Sequence, residues 1–209
     1  MSRRASKTDA ILDAARSLFL SNGYVGTSMD AVATVSAVSK QTVYNHFGDK
    51  RSLFEELLTR DMSRADVDVE RLIARGVGRE SLEEDLVEIA TLYLHGVLQP
   101  DLLRLRRLVI GEAERFPELA ASWYKNGPEQ AYDMFSGLFH ELTVGGDLRV
   151  DEPRVAAEQF NWLVLAVPLN RAMAYVDEKM PPPDAELEAL ARSAVNMFLA
   201  VYGVQGHRR

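Results

Sequence analysis

Cysteine is absent from the 209-residue sequence, and so is any long apolar run. Without cysteine the chain has no disulfide bond, no zinc site built on cysteine and no thiol nucleophile. A membrane-spanning helix needs about 20 consecutive apolar residues and a secretory signal needs an apolar stretch near its start, and neither is present. We therefore expect a cytoplasmic protein with no contact to a membrane.

Patterns typical of β-strands are also nearly absent, because apolar residues recur mostly at spacings of three and four rather than two. The sequence predicts an all-α fold of about nine helices. Gly23 ends the first helix, and the prolines at 181–183 precede the last helix, which is predicted from Asp184 to Tyr202. Pro168 lies inside another predicted helix, 153–176, and predicts a kink there.

Positive charge is in overall deficit, since the formal net charge is −7. The distribution is uneven: residues 1–52 hold seven Lys or Arg and four Asp, a balance of +3, and the remainder carries −10. A basic N-terminal part followed by an acidic remainder suits a protein that contacts nucleic-acid phosphates with one end only. The alternative is a chance fluctuation in composition, which gives the same pattern. We divide the chain into an N-terminal domain, 1–52, and a larger domain, 53–209.

The stretch from Thr27 to Lys50 predicts two short helices joined by a tight turn. Thr27 is the predicted N-cap of the first helix and Ser39 that of the second. Because successive helical residues are about 100° apart, Val43 and Phe47 face the core and the opposite side of the second helix is polar. Two helices in this order are typical of a helix-turn-helix, whose second helix enters the major groove of DNA.

The polar face of the second helix carries side chains that suit DNA. Donors and acceptors in its first turn match purine edges, and the residues expected to read bases are Lys40, Gln41 and Thr42. Tyr44, His46 and Lys50 lie farther along, where the chain meets the sugar-phosphate backbone, and are expected to position the protein. The alternative is a solvent-exposed helix of an ordinary bundle, with His46 bonded to a backbone carbonyl.

Residues 8–58 resemble the DNA-binding domain of the TetR family of bacterial repressors. The resemblance is carried by Gly23-Tyr24, by Thr27-Ser28-Met29 and above all by the uninterrupted run from Val38 to Phe54. It implies a three-helix headpiece, a larger helical domain for ligand binding and dimerisation, and a homodimer on a partly palindromic operator in double-stranded DNA. By the same resemblance, Thr27 joins the expected phosphate contacts.

The sequence departs from the family pattern at Ala37. The family commonly has Gly at this place in the turn. If Ala37 adopts a left-handed backbone conformation, the cost is roughly 1–2 kcal/mol. The departure affects how the turn presents Lys40 and Gln41.

The segment Arg107–Ala120 resembles the AefR-like subgroup of the family's ligand domains. Dimers in this family resemble four-helix bundles built from the last two long helices of each chain, which are 153–176 and 184–202 here. The last helix has more apolar residues than one buried stripe requires. The residues expected at the dimer interface are Leu187, Leu190, Ala194 and Phe198. The alternative is that both faces of these helices are buried within one subunit.

Aromatic and polar side chains among otherwise apolar helices are candidates for a ligand pocket. These residues are Tyr93, Trp123, Tyr124, Phe135, Phe139, Asn161 and Trp162. They predict a small apolar or aromatic ligand. The alternative is that the rings belong to the core, as aromatic side chains at helical spacing often do.

Together these features predict a TetR-type repressor that a small molecule releases from its operator, with no cofactor, metal or catalytic residue. The fourth helix, beyond Lys50, would connect a shift between two dimer conformations to the headpiece.

One alternative is a helix-turn-helix regulator without a small-molecule ligand, constitutive or controlled by a protein partner. A helical-bundle enzyme is the other. His140-Glu141 begins like a zinc-protease motif, but Val144 stands where the second histidine belongs, and no nucleophile elbow or phosphate loop is present.

Overall fold

Ten α-helices account for most of the residues that the computed structural model describes, which are 7–78, 81–176 and 181–204. The helices are α1 (Lys7–Gly26), α2 (Met29–Val35), α3 (Lys40–Phe47), α4 (Lys50–Arg75), α5 (Leu82–Val97), α6 (Pro100–Glu112), α7 (Pro117–Asn126), α8 (Pro128–Gly145), α9 (Pro153–Ala174) and α10 (Asp184–Tyr202). Extended pairing in these residues is limited to one isolated bridge, between Leu148 and Gly203. The all-α prediction is confirmed.

Glycine and proline set several helix boundaries. Gly23 interrupts α1 with a φ of 73° and a ψ of 175°, which is the predicted position, although helical bonding resumes up to Gly26. The helices α6 to α9 each begin at a proline, whose fixed φ suits a first helical turn and whose missing N–H is not needed there. Pro168 does not end α9, which is continuous up to Ala174. None of the described helices has the length and apolar character that crossing a bilayer requires.

The described residues fall into two compact units. The first contains the described residues up to Asp61 together with Arg104–Asn126, and the second contains Met62–Leu103 and the described residues from Gly127 onward. The helix-turn-helix end therefore groups with most of α6 and with α7, which the two-domain division at residue 52 did not anticipate.

In the first unit, three aromatic side chains pack around Tyr24, near the end of α1. Its ring stacks on Phe19 at 5.8 Å between ring centres and meets Phe54 of α4 at 5.5 Å. Phe116, between α6 and α7, lies edge-on to Tyr24 at 5.0 Å. Phe19, Phe54 and Tyr24 are buried. This contact joins the α6–α7 junction to the end of α1.

A cluster of charged side chains joins α1 to α4 in the same unit. The guanidinium of Arg16 lies against the carboxylate of Asp61, with 2.8 Å between Nε and Oδ2 and 2.8 Å between Nη2 and Oδ1. Arg60 reaches the same carboxylate at 3.1 Å and Asp13 of α1 at 2.9 Å. The side chains of Arg60 and Asp61 are only 11% and 10% exposed, so these charges depend on one another for compensation.

The core of the second unit lies among α5, α8, α9 and α10, with the later part of α4 packed against them. Phe160 of α9 occupies its middle, with ring centres 5.1 Å from Phe135, 5.3 Å from Phe139 and 5.1 Å from Phe198. The end of α10 is fixed to the α8–α9 loop because the N–H of Arg149 donates to the carbonyl of Tyr202 at 2.8 Å.

Candidate nucleic-acid interface

Two serines cap the helices of the predicted helix-turn-helix. Ser28 is the N-cap of α2, and its Oγ accepts the N–H of Ala31 at 3.1 Å. The prediction of Thr27 for this cap is wrong by one residue, because the Thr27 hydroxyl donates instead to the carbonyl of Gly23 at 2.9 Å. Ser39 caps α3 as predicted, with its Oγ 3.1 Å from the N–H of Thr42. Both helices therefore start at fixed positions.

The turn between α2 and α3 contains Ala37 in the left-handed region, with a φ of 55°. Among the described residues it is the one non-glycine with a positive φ. A Cβ in this conformation crowds the following carbonyl, which costs roughly 1–2 kcal/mol. The sequence left the conformation of this alanine open, and the structure shows that it is left-handed.

The faces of α3 are distributed as predicted. Val43 and Phe47 are buried at 0% and 8% exposure, so they attach the helix to the core of its unit. The exposed side chains of α3 are Lys40, Gln41, Tyr44, Asn45 and His46, and Thr42 is half-buried. Seen from solvent, α3 is a polar surface with one cation at its start.

The three side chains expected to read bases have partners within the motif. The ammonium of Lys40 pairs with the carboxylate of Asp30, in the first turn of α2. Gln41 donates from Nε2 to Oδ1 of Asn45 at 2.7 Å. The Thr42 hydroxyl lies 2.8 Å from that of Ser39. These contacts restrict the positions of the three side chains.

Asn45 is a polar residue of this surface that was missing from the residues predicted to contact DNA. Its amide lies beside that of Gln41, one helical turn away, so the two form one hydrogen-bonding group. Asn45 follows Gln41 by four residues, so both lie on the same side of α3. This spacing is the sequence signal that would have identified Asn45.

Thr27 and Lys50 form a polar corner where α1 ends and α4 begins. Lys50 donates from Nζ to the carbonyls of Tyr24 at 2.8 Å and Thr27 at 3.0 Å, with the carbonyl of Val25 at 3.4 Å. Burial lowers the pKa of Lys50, and the carboxylate of Glu112 partly opposes this. The polar atoms of both side chains are thus engaged with the protein, and their contact with phosphate stays a prediction.

Asp49 caps the first turn of α4. Its Oδ1 accepts the N–H of Ser52 at 2.8 Å. This hydrogen bond is the largest cause of a lowered pKa at Asp49, and the nearby Arg51 adds to it. The first turn of α4 is therefore fixed beside the corner that Lys50 occupies.

Family models match both parts of the chain. A model of bacterial regulatory proteins of the tetR family matches residues 11–57, which include the α2–α3 pair. A model of the C-terminal domain of AefR-like transcriptional repressors matches residues 84–204, more than half of the chain. The chain belongs to the TetR family. It is a helix-turn-helix transcriptional regulator, and both resemblances noted in the sequence are confirmed.

Individual relatives agree with this assignment. The HTH-type transcriptional regulator UidR of Escherichia coli is 40% identical over 55 residues, which are 26% of this chain and 28% of that protein. The regulator AlkX of Mycobacterium tuberculosis is 31% identical over 116 residues, covering 49% and 54%. The chain thus matches between about a quarter and half of the length of these curated relatives.

Solved structures match over nearly the whole chain. A protein of Mesorhizobium loti assigned to the TetR family of transcriptional regulators is 36% identical, with a TM-score of 0.84 and coverage of 98% of this chain and 100% of that one. The flavonoid-responsive regulator FrrA is 28% identical, with a TM-score of 0.70 and coverage of 96% and 98%.

The predicted ligand-pocket residues of this TetR-family chain separate into three groups. Tyr93, Phe135, Phe139 and Asn161 come together in the core of the second unit. Trp162 of α9 is 47% exposed. The remaining two, on α7 of the first unit, are Trp123, which is nearly buried, and Tyr124, which is 50% exposed.

A buried polar pair lies within that core. The Tyr93 hydroxyl donates to Oδ1 of Asn161 at 2.7 Å, and the two residues are 4% and 3% exposed. Phe135 lies edge-on to the Tyr93 ring at 5.2 Å. The pair is the kind of directional feature that an apolar pocket uses to orient a ligand.

The residues predicted for the dimer interface lie mostly inside the subunit. Leu187, Ala194 and Phe198 are buried in the subunit's own core, so their side chains are not available to a partner, and Leu190 is half-buried against that core. The prediction is corrected for these three buried side chains because α10 turns them toward α5 and α9. The exposed apolar side chains of the same two helices are Val155, Trp162, Leu163 and Val167 of α9 and Met197 and Val201 of α10.

Proposed function

We propose that this TetR-family protein is a cytoplasmic, homodimeric repressor that binds a palindromic operator in double-stranded DNA and leaves it when a small aromatic molecule binds. The main support for DNA binding is helix α3, which is capped and has a buried apolar side. Its exposed face carries Lys40, Gln41 and Asn45. The proposal involves no cofactor, metal or enzymatic step.

In this proposal α3 lies in the major groove and its first turn reads base edges. Lys40 exchanges the carboxylate of Asp30 for acceptors on guanine, and the Gln41–Asn45 pair presents one amide group to an adenine. Tyr44 and His46, both exposed, contact the sugar-phosphate backbone. Lys50 and Thr27 hold the corner beside it, and the charge of Lys50 attracts phosphate.

Selection of binding sites from random duplex DNA, followed by gel-shift titration, tests the DNA-binding proposal. Lys40→Ala and Gln41→Ala should each weaken the selected duplex by about 1–3 kcal/mol and relax preference at one position. His46→Ala should weaken all duplexes alike. Lys125→Ala, an exposed lysine on α7, is the matched control and should change nothing. Binding with no preference over random DNA would contradict the proposal.

The dimer is proposed to form through the exposed apolar stripe of α9 and α10. Val155, Trp162, Leu163 and Val167 recur on one side of α9, and four of the five residues lining an open groove of about 620 Å³ are Val155, Gln159, Trp162 and Leu163. Tyr202 of α10 donates to Gln159 at 2.6 Å, which places the end of α10 beside this groove. A palindromic site requires a two-fold partner, and a contiguous apolar surface is what such a partner covers.

Sedimentation velocity tests this surface. Val167→Glu, at a residue 67% exposed, should convert the dimer to monomer because it places a charge in the stripe. Val144→Glu is the matched control, since Val144 is 76% exposed and lies on α8 outside the stripe. Dissociation by both variants or by neither would contradict this choice of surface.

The ligand is proposed to bind where Tyr93 and Asn161 meet, among Phe135, Phe139 and Phe160. A flat aromatic molecule with a hydroxyl group can replace one partner of the Tyr93–Asn161 hydrogen bond while its ring packs among the phenylalanines. The relative FrrA is flavonoid-responsive by its name, so a flavonoid is the first probe.

A flat flavonoid such as the flavone apigenin should raise the melting temperature and weaken binding of the selected duplex, and the duplex should weaken apigenin binding by the same factor. Tyr93→Phe should reduce both effects, whereas Tyr132→Phe, at another buried tyrosine of the unit, should not. The Tyr93 hydroxyl and the Asn161 amide are already hydrogen-bonded to each other without a ligand. This observation favours the second candidate, a regulator with no small-molecule effector. Operator binding unchanged by a panel of aromatic compounds would support that candidate.

A further inference from the structure

The segment that contains both helices of the DNA-binding motif is closed at its ends by one side chain. Lys50, the first residue of α4, donates to the carbonyl of Thr27, just before α2, and to that of Tyr24, at the end of α1. The segment from Thr27 to Lys50, which includes α2 and α3, therefore forms a loop whose two ends are held together by the Lys50 ammonium. A cation at these carbonyls satisfies acceptors that a helix end leaves free.

The ammonium of Lys50 also lies over a ring. Its Nζ is 4.6 Å from the ring centre of Tyr24, which is the distance of a cation–π contact. Tyr24 is 5% exposed, and its position therefore defines where Lys50 can lie. Burial lowers the pKa of Lys50, which agrees with a side chain enclosed by the protein rather than extended into water.

The Tyr24 ring is held from outside the motif. Phe116 lies edge-on to it at 5.0 Å, and Phe116 belongs to the short connection between Glu112, the last residue of α6, and Pro117, the first of α7. Burial is the largest cause of the raised pKa of Tyr24, and the charge of Glu118 adds to it. At Lys50 the charge of Glu112 opposes the burial that lowers the pKa. The α6–α7 junction thus contacts Tyr24 with the ring of Phe116.

We infer that Phe116 is a positioning residue for DNA recognition, acting through Tyr24 and Lys50 on the geometry of the α2–α3 segment. This inference rests on the proposed function and extends it. The phenyl ring of Phe116 keeps Tyr24 beneath the ammonium, and the ammonium keeps the ends of the segment together.

Gel-shift titration of the in vitro selected duplex, at a temperature where every variant is folded, tests the inference. Phe116→Ala should weaken binding about fivefold to tenfold, because it removes the ring contact that positions Tyr24. Phe116→Tyr keeps the ring and should restore binding to within about twofold. Leu119→Ala, at a fully buried residue of α7, is the control for a loss of stability alone and should leave the affinity of the folded protein unchanged.

A double-mutant cycle with Lys50→Met separates positioning from general destabilisation. If Phe116 acts through Lys50, adding Phe116→Ala to Lys50→Met should cause no further loss of affinity. Additive losses, or an unchanged affinity in Phe116→Ala, would overturn the inference. Should Phe116→Ala not fold, Phe116→Leu removes the ring with less loss of volume and takes its place. If the wild-type protein selects no duplex at all, the proposed function has failed instead.

Discussion

Both compact units contain a cluster of aromatic rings and ion pairs between helices, but the ion pairs of the second unit, such as that between Arg192 and Glu84, are exposed. In the first, directional polar contacts join separate helices: Asp61 binds two arginines and Lys50 binds backbone carbonyls at the end of α1. In the second, the centre is a group of phenylalanine rings around Phe160, with one buried polar pair. Directional contacts fix helix positions, which reading a base sequence requires. Apolar packing is less specific and tolerates substitutions that conserve volume.

Truncation of Phe160 should give the largest effect on stability. Its side chain is fully buried among three other rings, so Phe160→Ala should lower the free energy of unfolding by about 4 kcal/mol. If the second unit tolerates repacking, Phe160→Leu should cost less than about 1.5 kcal/mol. Urea denaturation measures both, and hydrogen exchange should place the loss in α8 to α10. Equal costs for the two variants would show that this core is as specific as the first unit.

The corresponding isosteric change in the first unit should be tolerated poorly. Asp61→Asn keeps the shape of the side chain but removes the nearly buried countercharge that Arg16 and Arg60 share, at a cost of about 3 kcal/mol. Asp68→Asn on the same helix is the control, because its pair with Arg71 is exposed and should be worth less than about 0.5 kcal/mol. Similar losses in the two variants, measured by urea denaturation, would remove the contrast between the units.

The sequence predicted the helix-turn-helix well because its signals are local. Ser39 as a cap, and Val43 and Phe47 as the buried side, depend only on neighbours within two turns. Thr27 was confused with Ser28 because adjacent hydroxyls both satisfy the capping pattern, and only the carbonyl of Gly23 decides between them.

Longer-range features were not predictable in the same way. Apolar periodicity shows that Leu187 and Phe198 are buried but not against which partner, so the subunit core was mistaken for a dimer interface. The grouping of α7 with the DNA-binding helices depends on contacts such as that between Phe116 and Tyr24, which are far apart in the chain. No periodic pattern marks such a pair.

Relief of the strained turn should give a smaller effect of opposite sign. Ala37→Gly removes a left-handed strain of about 1–2 kcal/mol. Glycine also raises the entropy of the unfolded chain, which opposes folding by roughly 0.4–1 kcal/mol. The free energy of unfolding of the first unit should therefore increase by about 0.5–1 kcal/mol. Ala31→Gly, inside α2, is the matched control and should cost up to about 1 kcal/mol, since its backbone is helical. Thermal denaturation distinguishes them by sign. A loss in both variants would mean that the turn carries no strain.

A comparison of one helix cap in each unit depends on pH. Asp49 caps α4 with a carboxylate, and its pKa is lowered because that carboxylate accepts the N–H of Ser52. Ser81 caps α5 with a hydroxyl that does not titrate. Each substitution to Ala should cost on the order of 1 kcal/mol at neutral pH.

Because the folded-state pKa of Asp49 lies below its unfolded value, the carboxylate stabilises the fold above about pH 4 and loses this effect as the pH falls through the lowered pKa. The difference between wild type and Asp49→Ala should therefore disappear in acid, while that between wild type and Ser81→Ala persists. Melting temperatures measured across this range would contradict the assignment if both differences persisted.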